Sequence, residues 1–190
     1  MKIILSIIIA GFLTVTSFGQ TKNLFYASPD DYKNAKPIAG YEIEDGSFFN
    51  GNFGAGFKVK NGGDATKTKL SELPSQFFTY NYNSDWLKFN DRLMRSYKGD
   101  VYVIIVNGPI CYYYAFPFPE KQYYSETISG DLKRYDRDVI EKYCKQYDLL
   151  EDYKTNRPKI KGNTTAEERI DNNMQYDIKY FGIINSKMKP

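Results

Sequence analysis

The chain of 190 residues carries 26 Lys and Arg against 23 Asp and Glu, a formal net charge of +3, which is too small to call for a nucleic-acid partner. It has no histidine and two cysteines, so Ser-His-Asp and Cys-His catalysis, histidine-ligated zinc and a cysteine-rich structural zinc site are excluded. In their place stand 18 Tyr and 13 Phe, rings that suit cores and contact surfaces better than acid–base chemistry.

Met1-Lys2 makes a short basic start, Ile3–Val15 is almost wholly apolar, and Ser17 and Gly19 are small residues of the kind a signal peptidase reads. Residues 1–19 are therefore expected to be a signal peptide removed before Gln20. The apolar run is shorter than the ~20 residues a spanning helix needs, no later run is longer, and no Cys follows the cleavage point to take a lipid. Gln20–Pro190 is expected in the periplasm or outside the cell as one α+β domain without a membrane span, 20–135 mostly strands and 136–190 mostly helices.

Leu24-Phe25-Tyr26 reads as a short strand, and Ser28-Pro29 as the cap and first position of a brief helical turn that Pro37 closes. Tyr41-Glu42-Ile43 alternates as a strand does. Gly46–Gly56 has neither the dinucleotide glycine pattern nor a P-loop lysine, and reads as a loop whose aromatics fold back on the core. Asn61-Gly62-Gly63 joins Phe57–Lys60 to Thr66–Leu70 as a hairpin. Leu70–Leu73 makes one helical turn stopped by Pro74, and Phe77–Tyr80 resumes strand chemistry. Asp85–Tyr97 reads as two strands of a meander, or as one amphipathic helix grouping Trp86, Phe89, Leu93 and Tyr97.

Val101–Phe116 is the most apolar stretch of the mature chain. It predicts a central hairpin buried on both faces, with Val101, Val103 and Ile105 on one face, Tyr102, Ile104 and Val106 on the other, and Asn107-Gly108 supplying positive φ between the halves. Pro117-Phe118-Pro119 ends it, and Tyr123–Ile128 pairs with Leu132–Tyr135. Beyond Asp136, Val139, Ile140, Tyr143, Cys144 and Tyr147 fall at helical spacing, and Asp148–Glu151 has the residue types of a capping box for a second short helix. Thr164-Thr165-Ala166-Glu167 caps a third, whose core stripe runs through Ala166, Ile170, Met174, Ile178, Phe181 and Ile184 or Asn185. The fold class is an antiparallel β-meander covered by C-terminal helices.

Cys111 and Cys144 can pair under oxidising conditions, or each can be buried as a small hydrophobe; both readings stay open. The cluster Lys154, Arg157, Lys159 and Lys161 reads as a solvated connector, and Asn163-Thr164-Thr165 fits a glycosylation acceptor. Adjacent acids, Asp30-Asp31 and Glu167-Glu168, sit at helix starts, where the macrodipole favours them; Asp136 with Asp138 and Glu42 with Glu44 are further pairs. No metal-ligand or cofactor spacing appears.

Tyr112, Tyr114, Tyr123 and Tyr124 are the candidate binding residues, because consecutive tyrosines on strands must send rings to both faces. The leading expectation is an exported, non-enzymatic protein-interaction module, an envelope partner or an immunity or inhibitor protein. A glycan-binding module using exposed tyrosines is the second, and a hydrolase with two carboxylates facing across a cleft the third. Export has its own check: N-terminal sequencing of the secreted product is expected to begin at Gln20, and a product that keeps Met1 would contradict it.

Overall fold

The computed structural model describes residues 22–51, 54–81, 92–118, 120–158 and 166–188, with side chains of the last stretch described from 172. The expected signal peptide, Trp86 and Phe89, Lys159 and Lys161, the expected glycosylation sequon, Thr164-Thr165 and the side chains of Ala166 and Ile170 lie outside the described residues. Strands β1 (Phe25–Tyr26), β6 (Phe77–Thr79), β7 (Leu93–Tyr97), β8 (Asp100–Val106), β9 (Cys111–Phe116), β10 (Gln122–Ser125) and β11 (Lys133–Arg134) form a seven-stranded antiparallel sheet in the order β1-β6-β7-β8-β9-β10-β11. A second sheet holds β2 (Tyr41–Ile43), β3 (Phe49–Gly51), β4 (Gly54–Asn61) and β5 (Thr66–Lys69). Four helices, α1 (Pro29–Lys33), α2 (Arg137–Gln146), α3 (Leu150–Thr155) and α4 (Ala166–Met188), complete an α+β fold. Among the described residues no helix is long and apolar enough to cross a membrane.

The large sheet is buried on both faces, as the apolar run of β8 and β9 requires. Val101, Val103, Tyr112, Tyr114 and Phe116 point to one side and Tyr102, Ile104, Cys111 and Tyr113 to the other. The first side is covered twice over. Phe57 of β4 packs on Phe78 of β6 with ring centroids 5.2 Å apart, and Phe181 of α4 stacks on Tyr112 at 5.1 Å. On the second side Tyr32 of α1 meets Tyr26 edge to face, and Ile128 and Leu132 lean on the same cluster.

The strand at Leu93–Tyr97 settles the described part of Asp85–Tyr97 in favour of the meander. Gly46–Gly56 departs from the loop reading: β3 and β4 pair there, Phe49 opposite Gly56. A Cβ at Gly56 would come within 2.1 Å of the Thr68 carbonyl oxygen and 2.6 Å of the Phe49 ring, so the glycine is set by close approach of its two neighbours rather than by loop freedom. Phe48 does fold back, meeting Phe116 edge to face at 5.0 Å.

Three further expectations are corrected. The alternation of β8 breaks at a bulge between Ile104 and Val106, so Ile105 and Val106 both reach the first face. Asp148 does not start α3, which has no side-chain cap. Instead Asp148 takes φ of 57°, and the following Leu149 N–H donates to the Cys144 carbonyl at 2.7 Å, a left-handed stop for α2. The stripe on α4 is buried as expected at Phe181, Ile184 and Asn185, but further up the helix it turns towards Tyr176, Asp177 and Tyr180, all buried, while Met174 and Ile178 are half-buried. The possible disulfide is absent: Cys111 and Cys144 are free, buried thiols. They belong to clusters on opposite faces of the sheet, because Cys111 points away from the side that carries α2.

Gly108 has a different role from the positive φ expected of it, which it does not adopt. The Asn185 side chain of α4 accepts from the Ile110 N–H and donates to the Ile110 carbonyl, both at 2.8 Å. A Cβ at Gly108 would lie 2.5 Å from the Asn185 amide nitrogen. Gly108→Ala is expected to cost about 1–3 kcal/mol by overpacking. In an Asn185→Ala background the methyl has room, so urea melts of both single variants and the double variant should give a double-variant loss smaller than the sum. Strict additivity would show that the clamp does not set the glycine.

Candidate functional site

Sequence order sends Tyr112 and Tyr114 of β9 to the helix-covered face, and there both are buried, Tyr112 with 0% exposure. Their rings meet edge to face at 5.9 Å. They are core residues, and the expected exposed row does not include them. Tyr124 is half-buried on the same side with the Lys133 ammonium 5.8 Å from its centroid. Tyr123 is half-buried on the opposite face, where it meets Tyr102 edge to face at 5.0 Å, 78° between planes.

Tyr123 is the one of the four that lines an aromatic cleft, a cavity of about 130 Å³ at the open end of the β8–β9 hairpin. Phe48, Tyr102, Phe116 and Phe118 give it apolar walls, and Asn50, Asp100 and Lys121 stand at the same cavity. The Lys121 ammonium sits 4.8 Å from the Phe118 centroid. Phe118, 49% exposed, is the one large apolar side chain left exposed among the described residues. Its position follows from the chain: Pro117 breaks the ladder, and pairing resumes as the Ala115 N–H donates to the Lys121 carbonyl.

A second, polar cleft of about 320 Å³ opens beside the helices. Asp177 of α4, only 4% exposed, forms its floor. The Tyr135 and Tyr153 hydroxyls each donate to one of its carboxylate oxygens at 2.8 Å. Arg157 donates through Nη1 to the Tyr153 hydroxyl at 2.7 Å and through Nη2 to Asn173 Oδ1 at 3.2 Å. This corrects the solvated-connector reading of Arg157, since the guanidinium belongs to the wall of this cleft. Gln122, Arg137 and Asp136 also line it, but Asp136 caps α2 by accepting from the Val139 N–H at 3.3 Å.

The remaining reactive groups are structural. Arg95, 2% exposed, donates to the Gly130 and Ser129 carbonyls at 2.9 and 3.2 Å and so fastens the turn before β11 to the sheet. Burial pushes the Cys144 thiol up to about 11, which leaves it protonated and poorly nucleophilic at neutral pH. Among the described residues no group of His, Cys, Asp and Glu is placed to hold a metal ion.

Sequence reading missed Phe118, Asp177, Tyr135, Tyr153 and Arg157. Phe118 carried a signal, an aromatic between two prolines in a segment that can enter neither ladder nor helix. Asp177 carried none, since its partners come from β11's end and α3. Comparison with known proteins finds no matching family model, no similar curated protein and no similar solved structure.

Burial and the charge of Asp177 hold the Tyr135 and Tyr153 hydroxyls well above the usual phenol range, and burial pushes Tyr102 up to about 12. In the unfolded chain these phenols ionise near the ordinary value of about 10. The folded state therefore holds their protons more tightly, and the stability this contributes is complete below pH about 10 and falls as pH rises beyond it. Phenolate absorbance followed with circular dichroism should show exposed tyrosines titrating near pH 10 and a buried group titrating only as the fold is lost. Full titration of all 18 tyrosines in a still-folded protein would contradict the assignment.

Proposed function

We propose that the chain is an exported, non-catalytic binding module that engages a protein partner at the aromatic cleft. The cavity's size carries this reading. About 130 Å³ is close to the ~150 Å³ that accommodates benzene, so it suits one inserted side chain of aromatic size with a polar tip. Phe118 on its rim supplies the complementary half of such a contact, an exposed aromatic beside a recess that mixes aromatic rings with the polar groups of Asn50, Asp100 and Lys121.

The glycan reading has less support, because a pyranose stacks on rings that lie flat and in a row. Tyr112 and Tyr114 are buried, and Tyr102 and Tyr123 meet nearly perpendicular. The hydrolase reading needs two carboxylates free to act across a cleft. Asp136 and Asp177 share the polar cleft, but the first caps a helix and both oxygens of the second already accept hydrogen bonds.

Affinity capture from envelope extract of the source cell, with tagged Gln20–Pro190 and its Phe118→Ala variant in parallel, tests the proposal. The parent chain is expected to retain one protein in stoichiometric amount. Phe118→Ala should melt at an unchanged temperature and lose retention by about tenfold or more, as removal of a central aromatic does. Equal capture by the variant, or retention on insoluble polysaccharide with no protein bound, would overturn it.

A further inference from the structure

The polar cleft is a second site, and it shares no lining residue with the aromatic cleft. Gln122 and Tyr123 are consecutive on β10, and one lines each cavity. Two guanidinium groups, Arg137 and Arg157, line the polar cleft, and neither is ion-paired to a carboxylate among the described residues. The buried carboxylate nearest to hand is Asp177, yet the Tyr153 hydroxyl stands between it and Arg157, donating to the one and accepting from the other. Direct pairing with that carboxylate would be the stronger, bidentate contact for a guanidinium fork, and Arg157 does not make it. Among the described residues two of the five N–H groups of Arg157 are committed, to a phenol and an amide, both neutral. Arg137 is exposed and has no hydrogen bond among the described residues.

We infer that this cleft binds a small carboxylate that also carries hydroxyl or amino donors. The carboxylate takes the guanidinium forks of Arg137 and Arg157, whose planar geometry matches it. The donors turn to the floor, where each Asp177 oxygen accepts one tyrosine and keeps a second lone pair. Asp136 and Asp177 offset the two arginines within the same cavity, so a ligand with one carboxylate beside hydrogen-bond donors matches its separated charges better than a doubly charged phosphate does. About 320 Å³ lies at the low end of the ~300–1,000 Å³ of small-molecule sites. The occupant is thus of monosaccharide or amino-acid size, a sugar acid or a free amino acid.

Isothermal titration of Gln20–Pro190 with galacturonate and with L-glutamate tests the site, with galactose, acetate and sulfate as controls. One of the two acids is expected to bind one to one, and which of them does so identifies the source of the carboxylate. Arg137→Gln, at an exposed residue whose guanidinium makes no ion pair or hydrogen bond among the described residues, should melt close to the parent and weaken binding by about tenfold or more. Three results would each overturn the inference: no binding of either acid at millimolar concentration, equal binding by the variant, or acetate or sulfate binding as tightly as the acids.

Discussion

Tyr112 and Tyr113 are neighbours in the chain, point to opposite faces of one sheet, and are both wholly buried. Everything else is arranged around that demand. A hairpin apolar on both sides cannot leave either side to water, so the chain before it and the chain after it must both return to it. The four-stranded sheet and the three C-terminal helices divide one face between them. The small helix α1 and the turn fastened by Arg95 close over the other. The two clefts lie at the margins of these covers, where one layer stops and the next has not begun.

Tyrosine makes such thick cover compatible with polar groups inside it. Each ring removes apolar surface from water while its hydroxyl reaches a partner: Tyr112 donates to Gln122 at 2.6 Å, Tyr176 to the Tyr153 carbonyl at 2.7 Å, and Tyr180 to Asp152. Among the described residues no buried side-chain nitrogen or oxygen lacks a hydrogen-bond partner. Of the four tyrosines that sequence reasoning reserved for a surface, Tyr123 and Tyr124 stay half-buried, while Tyr112 and Tyr114 are polar-tipped core on the helix-covered face. This is also why a carboxylate as deep as Asp177 can be held there without a direct cation.

What was legible in the chain was local. Alternation in β8 as far as its bulge, the Asn61-Gly62-Gly63 turn, the Ser28-Pro29 cap and the Asp136 start of α2 all depend on a few consecutive residues, and all are present. What was not legible depends on residues far apart. The buried stripe of α4 holds Tyr176, Asp177 and Tyr180 rather than the more apolar Met174 and Ile178 because hydroxyls from β11's end and α3 meet it there. Gly108 looks like turn chemistry and is in fact a space left for Asn185. Both clefts are assembled the same way, from segments whose only relation is the sheet that brings them together.

Cys111 and Cys144 stand back to back, with the sheet between them. Once the hairpin is covered, that sheet is a wall neither sulfur can cross, and bulk oxidant reaches neither readily. A disulfide in this protein, within one chain or between two, is thus a mark left on chains caught by oxidation before they folded. Non-reducing electrophoresis of a preparation made under oxidising conditions then reads as a tally of folding failures, and a clean monomer band as a record of how quickly the covers close.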